Sequence, residues 1–291
     1  MTDCFYHYTD AETALKILTK KELWMTHISY LNDTQEGKDL REHLNPKVNN
    51  PEIHKILDYI DSHYESYVCS LSKNGDLLSQ WRGYCPKGEG YAIGFRQPNF
   101  ENKEREACFR GEAESNNDAA HAAIQVSEYH RCIYGEEEKE SIIEELAEAF
   151  EADYKEMPND IKSIVSQLPK APLNWKALNG HLNNGLWLKY YSYFKLIFKD
   201  ETFKEEEEYR LFIIFHNQYK QTPCYRVKKG VFIPYHRFCF NDDIFKEIIV
   251  RKTPNEKLSH EGLSHYLKHN KGMTEEKIKD FIKISNIPYR E

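Results

Sequence analysis

The sequence predicts a single α+β domain over residues 1–291, with a mixed or antiparallel sheet and a helical insertion over 136–200. Short β-forming runs alternate with helical patterns in the first and last thirds of the chain. Strand patterns disappear from residue 136 and resume at Glu208. The composition, with 40% hydrophobic and 13% aromatic residues, supplies a sizeable core.

The first third opens with a strand and a helix. The run 5–9 is aromatic and β-branched, and Asp10 is placed to cap a helix whose apolar residues continue to Leu18. The pattern then predicts an extended segment at 23–28, a cap at 32–36, helices at 39–44 and 52–64, and a strand at 67–72.

The remaining elements follow in the same way. We expect a helix, a glycine-rich turn and a strand over 77–95, and a further strand at 128–134. Helices are predicted over 136–154 and 158–200, strands over 209–215, 225–234 and 244–251, helices over 255–269 and 274–281, and a closing segment over 282–289.

The composition excludes several classes of protein. The net charge is -7, which gives no global attraction to nucleic acid. The apolar runs 211–215 and 248–250 are far shorter than the roughly 18 residues of a membrane span. The N-terminus shows no secretory signal, so we expect a cytoplasmic protein whose seven cysteines are reduced thiols.

An acidic run passes directly into a β-forming run over 205–215. On a strand, alternation places Glu206, Glu208 and Arg210 on one face. Two carboxylates and a guanidinium projecting together favour either an ion pair at a strand entrance or a carboxylate oriented for catalysis.

Two other groups have the chemistry of a nucleotide pocket. His7 and Thr9 share one face of the first strand, where an imidazole and a hydroxyl can hold an amide or a ribose. Trp81, Arg82 and Tyr84 offer rings for stacking and a guanidinium for a phosphate. The structural alternatives are an ordinary strand histidine and a tryptophan packed under a loop.

The motifs together resemble the bacterial domain-of-unknown-function family 2971 (DUF2971), which includes abortive-infection proteins. The resemblance covers nearly the whole chain outside the helical insertion, and its motifs are 5–9, Leu31-Asn32-Asp33-x-x-Glu36, 69–72, 78–84, 90–95, Glu206-x-Glu208-Tyr209-Arg210 and 285–290.

The first strand and the late glutamate also resemble NAD-dependent ADP-ribosyltransferases that modify nucleic acid. That resemblance implies a split, ADP-ribosyltransferase-like sheet and no metal. It implies that NAD contacts the residues His7, Thr9, Asn32, Trp81, Arg82 and Tyr84. Glu208 or Glu206 would then orient the nicotinamide ribose or activate the acceptor, with Arg210 positioning that glutamate.

The expected function is therefore that of an effector or toxin of a prokaryotic anti-phage defence system, which transfers ADP-ribose from NAD to nucleic acid or protein. NAD hydrolysis and non-catalytic recognition of a nucleotide or phage component are the alternatives. A nuclease using Asp33, Glu36 and a divalent ion is a third. The acidic helix near 136–154 has a solvated face that could bind an antitoxin or another defence protein.

Overall fold

A computed structural model describes residues 4–31, 37–85, 89–97, 107–110, 122–125, 129–168, 175–184, 187–217 and 222–288. The helices in this part of the chain are α1 (Ala11–Lys20), α2 (Asp39–Leu44), α3 (Pro51–His63), α4 (Leu78–Tyr84), α5 (Glu136–Glu156), α6 (Asn159–Ser166), α7 (Trp175–Asn184), α8 (Ser192–Ile197), α9 (Glu256–Asn270) and α10 (Glu275–Phe281). The strands are β1 (Cys4–Thr9), β2 (Glu22–His27), β3 (Tyr64–Ser72), β4 (Tyr91–Arg96), β5 (Ala107–Arg110), β6 (Ala122–Gln125), β7 (His130–Arg131), β8 (Glu208–His216), β9 (Cys224–Lys228), β10 (Val231–Phe240), β11 (Phe245–Val250) and β12 (Ile282–Ile284).

The described strands form one mixed sheet. Its main path runs β12-β11-β4-β1-β3-β2-β10-β5, while β8 pairs with β3, β6 and β7, and β9 pairs with β10. The β11–β12 pair is parallel and the other strand pairs are antiparallel. The α+β class and the mixed, largely antiparallel sheet predicted from the sequence are confirmed.

The sheet divides along one edge of β3. On one side β3 pairs with β8 over its whole length, from Tyr64 to Ser72. On the other side β3 pairs with β2 at Tyr67 and Val68 and with β1 at Ser72. Residues 69–71 lie between these two pairings, so β1 and β2 diverge from a common neighbour.

Helices cover both faces of the sheet. One core joins α1, α9 and α10 to the face that carries Phe5, Ile93 and Leu211. The other core joins α2, α3 and α5–α8 to the face that carries Val68, Phe212 and Ile214. A small third cluster packs Trp81 of α4 on Tyr8 and Ala92.

Two of the helices begin at capping residues that lie within the described ranges. Asp10 accepts a hydrogen bond from the Thr13 backbone at 2.7 Å and caps α1, as predicted. Asn50 caps α3 in the same way, with Pro51 in the first turn. The predicted cap at 32–36 lies outside the described residues.

The prediction lacked the strands β5 and β6. Three of the predicted segments also differ from the structure. The single strand predicted at 225–234 is a hairpin, because Lys229 and Gly230 adopt positive φ and join β9 to β10. Among the described residues 129–134, His130–Arg131 is the part that forms a strand. The predicted placement of Glu206 on the strand is wrong, because 201–206 form a 3-10 turn and Glu207, in the left-handed region, separates that turn from β8.

Within the described ranges, no helix is both long enough and apolar enough to cross a membrane.

Candidate functional site

The gap between β1 and β2 is the most distinctive feature of the sheet. His7 lies at the gap, with Nδ1 3.4 Å from the Ser70 carbonyl oxygen. Since a carbonyl only accepts, Nδ1 carries the proton and Nε2 is left as an acceptor. Burial lowers the pKa of His7, and the positive charge of Arg226 lowers it further. His7 is therefore a neutral imidazole at neutral pH.

A second group of side chains lies on the β2 side of the gap. Arg226 of β9 donates from Nη2 to Thr26 Oγ1 at 2.8 Å. Its guanidinium lies 5.5 Å from the centre of the Trp24 ring, which stacks on Tyr235 with ring centres 4.5 Å apart. A cation over an aromatic pair is a surface suited to an anionic or planar ligand.

A charged cluster lies at the other end of the gap. Glu208 accepts from Arg210 Nε at 2.7 Å and from Arg210 Nη2 at 3.2 Å, and it also accepts from Lys199 Nζ. Arg210 Nη1 donates in turn to the Leu196 carbonyl at 2.7 Å. Although burial opposes ionisation, the two cations lower the pKa of Glu208 to about 2. Glu208 is therefore a permanent carboxylate.

Glu206 joins the same cluster from the 3-10 turn. Lys199 Nζ donates to Oε2 of both Glu206 and Glu208, so the two carboxylates meet although only Glu208 lies on the strand. Both oxygens of Glu208 are occupied, and the residue is 4% exposed. The Glu206 side chain is 18% exposed and uses Oε2 for its ion pair. Among the residues that the structure describes, Oε1 makes no hydrogen bond or ion pair.

Cross-strand register links the two ends of the gap. Ser70 lies opposite Arg210 and Ser72 opposite Glu208, so these side chains share the face that Val68 and Thr26 also occupy. Since Val68 and Ser72 are four residues apart on a strand, the Thr26 row and the Glu208 row are separated by about 13 Å.

The α4 residues occupy different environments. Trp81 is 1% exposed, packs edge-on against Tyr8 and donates from Nε1 to Asp76 at 2.8 Å. Arg82 is exposed, and Tyr84 is 40% exposed. The structure thus places Trp81 in the core, while Arg82 and Tyr84 lie on the surface of the same helix.

The other predicted residues are placed as follows. Thr9 is buried at the end of β1, opposite Tyr91 of β4, two residues beyond His7. Asn32 lies outside the described residues, as do Asp33 and Glu36 of the nuclease alternative. The part of the chain that the structure describes contains no group of three or more His, Cys, Asp or Glu side chains arranged to hold a metal ion.

Sequence reasoning missed Lys199, Arg226, Trp24 and Thr26. Lys199 lies only seven and nine residues before its two partners, Glu206 and Glu208. It was missed because it follows a helix and belongs to no sequence motif. Arg226 lies in a segment, 209–240, that contains no Asp or Glu, although the chain has 47. That local absence of acidic residues is the signal that could have drawn attention to Arg226.

Comparison with protein families gives one match. Residues 80–211 match the model of a family described as "Protein of unknown function (DUF2971)", which confirms the resemblance to that family. The matched range runs through α5–α8, a segment that the resemblance inferred from the sequence left outside. Searches of curated proteins and of solved structures found no match to this chain.

Proposed function

With a family description that assigns no activity, we propose from the geometry of the gap that the protein is an ADP-ribosyltransferase-like enzyme that consumes NAD. The observation that supports this best is the pairing of Glu206 and Glu208 through Lys199, at one end of a gap that holds a neutral His7. The acceptor of the ADP-ribose is nucleic acid or protein, and the setting is cytoplasmic anti-phage defence.

The proposed reaction needs a fixed negative charge. When the nicotinamide C–N bond breaks, nicotinamide leaves with the bonding electron pair and the ribose becomes oxocarbenium-like. A nearby carboxylate stabilises that cation without moving. An acceptor oxygen or nitrogen then bonds to the anomeric carbon and loses its proton.

The contacts suggest different tasks for the two carboxylates. Glu208 is saturated by Arg210 and Lys199 and acts as a positioning residue that holds Lys199 in place. Glu206 retains an oxygen, Oε1, without a partner among the described residues and is the candidate catalytic carboxylate. His7 alternates with Tyr6, which lies opposite Ser72 on the Glu208 face, so His7 lies on the other face of the sheet. Its Nε2 acceptor would therefore reach the nicotinamide side of NAD through the gap between β1 and β2.

The test is release of nicotinamide from NAD by the full-length protein, with and without RNA, DNA or cell lysate. We expect Glu206→Gln to abolish release and to retain the thermal unfolding temperature of the parent protein. Glu205→Gln is the matched control, since Glu205 is an exposed carboxylate in the same 3-10 turn. If Glu206→Gln and Glu208→Gln both fold and both release nicotinamide at the parent rate, the mechanism is wrong.

The saturation of Glu208 also supports a second candidate, a non-catalytic module that binds a nucleotide or phage component. Measuring NAD binding and nicotinamide release on the same protein distinguishes the enzyme from the binding module. Binding without release favours the module, release that no acceptor accelerates indicates NAD hydrolysis, and release that one additive accelerates identifies the acceptor. An antitoxin or other defence protein would bind elsewhere, and the acidic face of α5 is available for it.

A further inference from the structure

The hydrogen bonding of Arg226 is incomplete. Nη2 donates to Thr26, but Nε is shielded from solvent and has no hydrogen-bond partner among the residues that the structure describes. A buried donor without a partner is costly, because it has lost its hydration and gained nothing in exchange. The guanidinium therefore retains a donor that the described residues leave unsatisfied.

Carboxylates do not supply an acceptor for that donor in the described structure. No ion pair joins Arg226 to an Asp or Glu within the described ranges. Glu22, two residues before Trp24 on β2, accepts instead from Trp24 Nε1 at 3.1 Å and lies 4.0 Å from Arg237. The positive charge of Arg226 is thus not neutralised by its neighbours.

The surrounding sequence keeps this end of the sheet cationic. Between residues 209 and 240 there is no acidic residue, whereas Lys228 and Lys229 follow Arg226 on the same hairpin. In a chain of net charge -7, such a segment creates a local positive potential that attracts anions.

The shape of the site selects among anions. The guanidinium carbon of Arg226 lies 5.5 Å from the centre of the Trp24 ring, so the ring flanks the charged group. Thr26 Oγ1 accepts from Arg226, so its own O–H is left to donate. A guanidinium beside a hydroxyl donor and an aromatic ring has the chemistry that binds the oxygens of a phosphate group.

We infer that Arg226, Trp24 and Thr26 form a binding site for a phosphate ester. The same chemistry is offered by the diphosphate of a dinucleotide and by the phosphodiester of a nucleic acid. The site does not depend on NAD cleavage, because it is built from contacts on β2 and β9 and uses neither carboxylate of the charged cluster.

The test is isothermal titration of the full-length protein with pyrophosphate, ADP-ribose and a single-stranded oligonucleotide, each at two salt concentrations. We expect binding that weakens with salt, and Arg226→Gln should weaken it by about tenfold to a hundredfold through the loss of charged hydrogen bonds. Tight binding of ADP-ribose assigns the site to a dinucleotide, and binding of the oligonucleotide alone assigns it to nucleic acid.

Lys257→Gln is the matched control, because it removes the same charge from an exposed position on α9, outside the cationic hairpin. It should bind within about twofold of the parent. A second readout is tryptophan fluorescence, whose change on ligand binding should be lost in Trp24→Phe. This readout tests the site even if Arg226→Gln does not fold. Equal affinity of the parent and Arg226→Gln for all three ligands, or no binding of any of them, would overturn the inference. Absence of nicotinamide release with retained pyrophosphate binding would reject only the proposed enzyme.

Discussion

Arg210 donates from Nε to Glu208 at 2.7 Å, although only one residue separates the two along β8. Residues two apart on a strand face the same way, so the strand itself holds this pair together. Lys199 approaches from outside the strand and adds the second cation. The result is a buried carboxylate compensated by two charges, whose loss affects stability and the proposed chemistry in separable ways.

Removal of the Glu208 charge should destabilise the fold. Glu208→Gln leaves Arg210 and Lys199 buried without their common partner, which typically costs about 3–5 kcal/mol. The free energy of unfolding in urea measures the effect. The exposed control Glu205→Gln should change it by less than about 0.5 kcal/mol. A Glu208→Gln variant as stable as the parent would show that Arg210 and Lys199 do not depend on the Glu208 carboxylate for stability.

Acid should weaken the fold through the same residue. Because the folded-state pKa of Glu208 is lowered to about 2, its contribution is present above the unfolded pKa near 4.5 and is lost as the pH falls from 4.5 towards 2. The loss is on the order of 3 kcal/mol. Unfolding measured across this window should depend more steeply on pH in the parent than in Glu208→Gln. Parallel curves for the two proteins would refute the prediction.

His216 should contribute a second acid transition at higher pH. Asn179 Nδ2 lies 3.0 Å from His216 Nε2 and donates to it, and burial lowers the pKa of His216 to about 4. Since an unfolded histidine titrates near 6.5, stability is lost as the pH falls from 6.5 towards 4, by up to about 3 kcal/mol. Replacing His216 with Gln should flatten the stability profile in that window. Retention of the full slope in the variant would assign the transition to another group.

Asp76 should hold the C-terminal segment to α4. It accepts from Trp81 Nε1 and from the Asn286 backbone, each at 2.8 Å, and from the Ser285 hydroxyl. Asp76→Ala leaves the buried Trp81 donor unpaired, so α4 should show faster amide hydrogen exchange, while α9 retains the parent rates. Ser285→Ala, which keeps Asp76 and Trp81 paired, should have a smaller effect. Unchanged exchange in α4 would show that packing alone fixes this helix.

Deletion of residues 136–200 should produce an insoluble or unfolded protein. α5–α8 bury Phe212 and Ile214 on one face of the sheet, and Phe150 stacks on Trp187 with ring centres 4.5 Å apart. Removing these helices would expose a contiguous apolar face. Light scattering and circular dichroism of the purified deletion variant check this. A soluble, folded product would mean that the helices are an independent unit.

Local patterns in the sequence were sufficient for most elements. The start of α1 and of α10 follows from the capping side chains Asp10 and Thr274, and α2 follows from apolar residues at helical spacing, Leu40 and Leu44. The hairpin at 224–240 was missed because only one of its two turn residues, Gly230, signals a positive φ, whereas Lys229 adopts the left-handed region without such a signal. Glu207 interrupts the predicted strand for the same reason.

The candidate site shows the same division. The sequence by itself determined the fold class, the proximity of Glu208 to Arg210 and the alternation of His7 with its neighbours, because each depends on the local periodicity of a strand. Only the tertiary structure decided that β1 and β2 diverge along β3, that Lys199 joins Glu206 to Glu208, and that Arg226 lies over Trp24. These relationships are contacts between segments distant in sequence or in different elements, and they depend on strand order and register, which no local pattern encodes.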